Sequence, residues 1–415
     1  MMISRRVFAT AMAATMLTGC GGPMPVTRST RADADPSLRP APNPAFDAWI
    51  DSFRGRARAK GLSETTVSEG LRGVGFLPGV VERDRNQTEF RRPLQDYLAI
   101  VAPEEKVALG RQKYAATQSL LTQIEDRYGV PPNVVAAIWG VESYFGTRRG
   151  DIPVISATAT LAFDGRRGAF FEAQLVSALK ILQRGDTTPA NLKGSWAGAM
   201  GHTQFIPTTY EAYAVDFRGD GRRDIWSEDP TDGLASAANY LARSGWRRGQ
   251  PWGYEVRLPS GFDTGLAGRG KRRAAAEWAG LGVQAASGRM ADHGPAALLV
   301  PAGATGPAFL VFRNFDVILR YNGSENYGLG VGYLSDRLGG GGPLRGAFPP
   351  DQYGLTIAER REIQTRLTQA GFDAGTADGV FGKKTEAAIR AYQTSRGMAV
   401  TGAPSRDLLE RLRRG

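Results

Sequence analysis

The chain has 415 residues, of which 42% are hydrophobic and 22% charged, enough for a sizeable core and two or three domains. One cysteine excludes an internal disulfide, a zinc finger and an iron–sulfur cluster. Two histidines, His202 and His293, leave no HExxH helix and make a His-rich metal centre implausible, while a net charge of +11 raises a nucleic-acid partner for testing.

Residues 1–19 read as an export signal. Arg5 and Arg6 precede an apolar run, Val7 to Leu17, that is too short to span a bilayer. The run ends Leu17-Thr18-Gly19-Cys20, which resembles the lipobox of bacterial lipoproteins and implies an acylated Cys20. Ser4-Arg5-Arg6-Val7-Phe8 is similar to a twin-arginine export motif, so that route and the general secretory route both stay open. A plain secretory signal with an incidental cysteine is the alternative. Gly21 and Gly22 stand where an Asp would retain a lipoprotein in the inner membrane, which points to the outer membrane and the periplasmic side of the envelope. An exported chain has little use for nucleic acid.

Residues 20–44 are rich in Pro, Ser, Thr and Arg and read as a flexible tether. The region 45–338 is expected to be mainly α, with helical patterns at 46–59, 91–127, 132–145, 169–183 and 231–243. An apolar run at 296–312 is interrupted by Pro301, Gly303 and Pro307, so two short strands fit better than a membrane helix. Gly339-Gly340-Gly341-Gly342-Pro343 begins a linker, 339–354, and a small helical segment follows at 355–413.

Chemistry concentrates on one carboxylate. Val135, Ile138, Glu142 and Phe145 fall on one face of the helix that Pro131-Pro132 opens. On an apolar stripe near a helix C-terminus, burial and the macrodipole both favour the protonated acid. That is what a general acid needs. A glutamate at the rim of the stripe, reaching to solvent, is the other reading, and the helix alone does not choose between them.

The blocks around that helix do. Asp84-Arg85-Asn86-Gln87-Thr88-Glu89-Phe90, Tyr128-Gly129-Val130-Pro131-Pro132 and Trp139-Gly140-Val141-Glu142-Ser143 come first. Asn191 to Gly201, Gln204-Phe205-Ile206-Pro207, Ala238-Asn239-Tyr240, Arg320-Tyr321-Asn322 and Tyr327 follow. In order and spacing, 46–338 resembles the B-type membrane-bound lytic murein transglycosylases. The resemblance implies a lysozyme-like α-helical fold and cleavage of peptidoglycan glycan strands without a required cofactor. Glu142 would be the single catalytic carboxylate, first acid and then base, where ordinary glycosidases use two. Ser195 and Gln204 match hydrogen-bonding positions around the acid, and Asn322, Tyr327 and Tyr240 match cleft residues. Phe205 would be an apolar wall, and Arg166 and Arg167 match a basic pair in the cleft. His202 reads as peripheral.

Asp216, Asp220 and Asp224, with Gly221 between them, resemble an EF-hand-like loop and raise a structural Ca2+, although Arg218 and Ser227 stand where acids are expected. The segment 355–413, with Asp378-Gly379-Val380-Phe381-Gly382 ahead of Thr385, Ala388 and Ile389, resembles a three-helix peptidoglycan-binding domain. Asp378 and Phe381 read there as builders of the turn. The expected partners are therefore peptidoglycan strands and, through Cys20, a lipid membrane, with the protein a monomer. A non-catalytic peptidoglycan-binding lipoprotein and a hydrolytic muramidase are the rival readings. The charge fits an anionic envelope: +3 within 1–44 and +4 within 355–415, against +4 spread over the 310 residues between.

Overall fold

A computed structural model describes residues 35–86 and 92–415 of the chain. The export signal with Cys20 lies outside the described residues, as do residues 87–90 of the Asp84–Phe90 block. Proline and side-chain caps set most helix starts in the first half. Asn43 caps α1 (Pro44–Ala59), Ser63 caps α2 (Glu64–Gly70), and Pro78 opens α3 (Pro78–Arg85). The stretch 91–127 holds three helices where one pattern was expected: α4 (Leu94–Val101), α5 (Glu104–Ala116) and α6 (Gln118–Tyr128). Pro103 stops the first, because the residue before a proline is forced out of the helical region, and Thr117 separates the other two.

Next come α7 (Pro132–Ser143), β1 (Ile152–Pro153), α8 (Val154–Asp164), α9 (Gly168–Arg184), β2 (Lys193–Gly194), α10 (Pro207–Tyr213) and α11 (Thr231–Arg243). The strands β1 and β2 pair antiparallel. Residues 134–140 of α7 are all buried, so this helix is a central post where the sequence suggested a one-faced stripe. The stripe also ends sooner than its spacing implied. Helix α7 stops at Ser143, and Tyr144 and Phe145 take left-handed φ angles of 52° and 55°.

A small sheet then covers one side of the helical body. Strands β3 (Gly253–Arg257), β4 (Arg272–Arg273), β5 (Gln284–Ala285), β6 (Ala296–Leu299) and β7 (Ala308–Val311) form an antiparallel sheet in the order β4-β6-β7-β3-β5. The apolar run at 296–312 supplies β6 and β7, with Leu298 opposite Leu310. Trp278 of α12 (Ala275–Gly280) is buried beneath the sheet and donates to the Ala296 carbonyl. Helices α13 (Arg313–Tyr321) and α14 (Glu325–Leu338) return to the body, and α14 packs along α7.

The last three helices, α15 (Ile357–Gln369), α16 (Lys383–Ser395) and α17 (Arg406–Arg414), enclose a separate core of Leu355, Ile363, Leu367, Ile389, Tyr392, Leu408 and Leu412. The Asp378–Gly379 turn is built as its sequence suggested. Asp378 accepts from the Val380 amide, and Gly379, at φ 82°, donates to Gln364.

The described part of the expected tether, 35–44, and the linker are both in contact with folded parts. Within the expected tether, Pro36–Leu38 forms a short 3-10 turn, Ala41 bridges Phe76, and Asp35 pairs with Arg83 at 2.6 Å. Within the linker, the Arg345 and Gly346 amides donate to Glu255, and Leu344 and Phe348 pack on the body. Arg360 of α15, only 7% exposed, reaches Asp96 of α4 at 2.7 Å and Gln95 at 3.2 Å. Composition does not register a few well-placed amide and ion-pair contacts.

Two expected outcomes follow from this packing. A Cβ on Gly140 would lie 2.6 Å from Phe145 and 3.0 Å from Leu334. Gly140→Ala should therefore lower unfolding free energy by about 1–3 kcal/mol, read by denaturant titration. Arg360→Ala leaves Asp96 without its buried partner, and the linker 339–354 should be cut by protease at least about tenfold faster, with both folded parts intact.

Candidate active site

Glu142 sits in the last turn of α7, half-buried, where the helix meets a cleft. The Tyr327 hydroxyl of α14 donates to its Oε1 at 2.6 Å. Burial, and the charge of Glu142 itself, push the Tyr327 and Tyr321 hydroxyls well above their ordinary range. Both remain donors at any physiological pH. Tyr321 stacks on Tyr327 with ring centres 6.5 Å apart and donates to the Thr203 carbonyl at 2.7 Å.

The end of α7 is held from below by polar groups. Ser143 donates to the His202 carbonyl at 2.6 Å and accepts from the Gly146 amide at 2.9 Å. His202 accepts at Nδ1 from Trp139 at 3.1 Å, which leaves Nε2 to donate to the Ser227 carbonyl at 2.8 Å. Burial pushes the His202 pKa below its ordinary value, so the ring is held neutral in that tautomer. At 2% exposure and bonded to Trp139 of α7, His202 is an internal strut, which corrects its reading as peripheral. The signal for it was weak, because a histidine beside glycines gives no periodic pattern.

A cavity of about 260 Å³ opens beside Glu142. Gln204, Phe205, Tyr240, Tyr321, Asn322 and Arg320 line it, so four residues singled out from sequence meet the proposed acid there. Glu142 is the only carboxylate among the described residues of that lining. Gln204, at a left-handed φ of 53°, donates its amide to the carbonyls of Arg149 and Gly201, which fixes the side chain. Phe205 is an inner wall against Tyr240 and Tyr321, while the Tyr240 hydroxyl donates to the Arg320 carbonyl. Asn322 accepts from the Ser324 amide at 3.0 Å. Tyr321 was missed as a site residue because, on amphipathic α13, its position reads as ordinary core.

Other sequence candidates are engaged elsewhere. The Ser195 hydroxyl accepts from the Ala197 and Ala199 amides, organising the 195–199 turn. Arg166 donates to both the side chain and the carbonyl of Asp84, each at 2.6 Å, and Arg167 pairs with the same carboxylate. Asp84 is buried while both arginines stay nearly half-exposed, so the pair closes over the end of α3.

The residues proposed for calcium bond to the amides of their own loop. Asp216 accepts from the amides of Gly219, Asp220 and Gly221, Asp220 from Arg222, and Asp224 from Trp226 and Ser227. Arg218 turns to Asp229 and Thr231. Among the described residues no group of three His, Cys, Asp or Glu side chains converges to hold a metal ion. The carboxylates serve the loop's own backbone.

Residues 45–336 match the family described as "Transglycosylase SLT domain", and residues 356–412 match "Putative peptidoglycan binding domain". The membrane-bound lytic murein transglycosylase B of Escherichia coli (strain K12) is 39% identical over 218 residues. That alignment spans 51% of this chain and 58% of the relative, so the chain spans less than two thirds of that relative's length. The crystal structure of SltB3 from Pseudomonas aeruginosa in complex with NAG-anhNAM-pentapeptide is 48% identical, with a TM-score of 0.71. It covers 89% of this chain and 100% of its own. The E. coli lytic transglycosylase Slt35 in complex with calcium is 30% identical, with a TM-score of 0.60, covering 72% of this chain and 94% of its own. The mainly α fold is thus shared with lysozyme-like transglycosylases. By the match over most of its length, this chain belongs to the SLT-type transglycosylase family.

Proposed function

We propose that the chain is a lytic murein transglycosylase, cleaving the MurNAc–GlcNAc β-1,4 bond of peptidoglycan and leaving a 1,6-anhydro-MurNAc end. The observation that carries this reading is Glu142, alone among the described carboxylates of its cavity, with a permanent hydroxyl donor 2.6 Å away. Protonated Glu142 gives its proton to the glycosidic oxygen as the C1–O bond breaks. The carboxylate so formed takes the proton of the C6 hydroxyl of the same sugar as O6 bonds to C1. Atoms balance without water and without a cofactor. The attacking hydroxyl belongs to the substrate, so effective molarity replaces an enzyme nucleophile. Tyr327 and Tyr321 keep Glu142 in place through both transfers, and Gln204, Phe205, Tyr240 and Asn322 hold the sugar.

The same proposal extends to the rest of the chain. Residues 1–19 act as a signal peptide, acylated Cys20 anchors the protein on the periplasmic side of the outer membrane, and 20–44 spans from anchor to body. The unit 45–338 is catalytic, 339–354 connects, and 355–413 binds peptidoglycan and concentrates the enzyme, as a monomer, on an insoluble polymer. Ser195, Arg166 and Arg167 then contribute by shaping the walls around the bound strand.

Digestion of murein sacculi should release 1,6-anhydromuropeptides, identified by mass spectrometry. Reducing-end muropeptides alone would mean hydrolysis, and no release would mean a binding protein. Glu142→Gln should lose at least about 100-fold in rate with an unchanged thermal transition. Cys20→Ala should move the exported protein from the membrane to the soluble fraction of a fractionated cell; retention on the membrane would contradict the anchor.

A further inference from the structure

Lys106 breaks the usual rule for lysine, which is almost never buried without a charged partner. It lies on α5 at 4% exposure, where that helix packs against the end of α7. Its neighbour Glu104 is taken by a two-pronged contact from Arg337 of α14, with N–O distances of 3.0 and 2.8 Å. Lys106 itself forms no ion pair among the described residues. Its ammonium instead rests 5.1 Å from the ring centre of Tyr144, and the Arg148 guanidinium lies 4.5 Å from the same ring. Tyr144 is the left-handed residue that ends α7, two positions after Glu142.

Of the charged groups around Lys106, Arg148 and Glu142 act on its charge. Glu104 and Glu105 share its helix, Arg337 faces α5 from α14, and Glu142 and Arg148 belong to α7 and the segment after it. Burial pushes the Lys106 ammonium down to about 8, Arg148 pushes the same way, and the Glu142 carboxylate pushes back up. With the folded value below the ordinary one, folding sheds a proton between about pH 8 and the lysine reference value near 10.4. Stability therefore rises with pH across that window, and at neutral pH the charged Lys106 is a net loss to the fold. Methionine would fill the same gap without that loss. A charge kept at the fold's expense beside the acid calls for a role in the chemistry.

We propose that Lys106 is a positioning residue for Glu142, its buried ammonium supplying the positive charge that stabilises the carboxylate formed when Glu142 gives up its proton. This rests on Glu142 being the acid. The coupling is reciprocal: whatever Lys106 does to the proton affinity of Glu142, Glu142 does to that of Lys106.

The test compares wild type, Lys106→Met, Lys106→Arg and Glu142→Gln in the full chain, with soluble uncrosslinked glycan strands as substrate. In Lys106→Met the descending limb of kcat/KM against pH moves to higher pH by roughly half a unit to one unit, while Tm stays equal or rises. Lys106→Arg keeps the wild-type limb. Independently, the Lys106 ammonium, followed by NMR in protein labelled with 15N-lysine, titrates lower in Glu142→Gln than in wild type by the same amount. A Lys106→Met profile that superimposes on wild type overturns the proposal, as does an unmoved Lys106 titration in Glu142→Gln. If Lys106→Met does not fold, the arginine variant and the NMR titration decide. Full activity in Glu142→Gln would sink the assignment of the acid instead.

Discussion

The bond from Tyr327 to Glu142 depends on α7 ending where it does. The stop is imposed by packing. Tyr144 and Phe145 occupy left-handed conformations that cost non-glycine residues about 1–3 kcal/mol each. Phe145 offsets that by driving its ring between Gly110 of α5 and Gly140 of α7, a gap that a side chain at either position would close. Trp139, Ser143 and His202 lock the same turn with hydrogen bonds, so Glu142 stands on a braced helix end.

This construction has an electrostatic side. A helix C-terminus is an unfavourable place for a carboxylate. Two cations, Lys106 and Arg148, flank the ring of the residue that caps α7. Their charge opposes the dipole at the helix end that carries Glu142. A buried lysine and a strained turn both weaken the fold, and they meet at Tyr144, two residues after Glu142. Local losses of this kind are expected at sites shaped for chemistry.

Much of this was legible in the sequence, for identifiable reasons. Proline at the start of α7, the alternation of apolar blocks and the breaks at Pro301 and Pro307 report local conformation, which is what sequence patterns encode. Gln204, Phe205, Tyr240 and Asn322 could be named because the motifs carrying them resemble a known family, and they meet in one cavity. Tyr321 and Lys106 were overlooked, and His202 was read as peripheral, for one shared reason. Each draws its role from a neighbour far along the chain, and each looks locally like core, loop or surface. The contacts of the linker were not legible for the same reason, since Glu255 and Asp96, which hold it and the module beyond, lie far from it in sequence.

The central claim is that Glu142 shuttles one proton while the substrate closes on itself. Digestion of glycan strands in water enriched in 18O tests it most directly, because the two chemistries differ in where the new oxygen comes from. Intramolecular closure predicts anhydro products with no heavy oxygen, whatever the enrichment of the solvent. One heavy oxygen at C1 of a reducing-end MurNAc would show that water attacked, and would contradict the account.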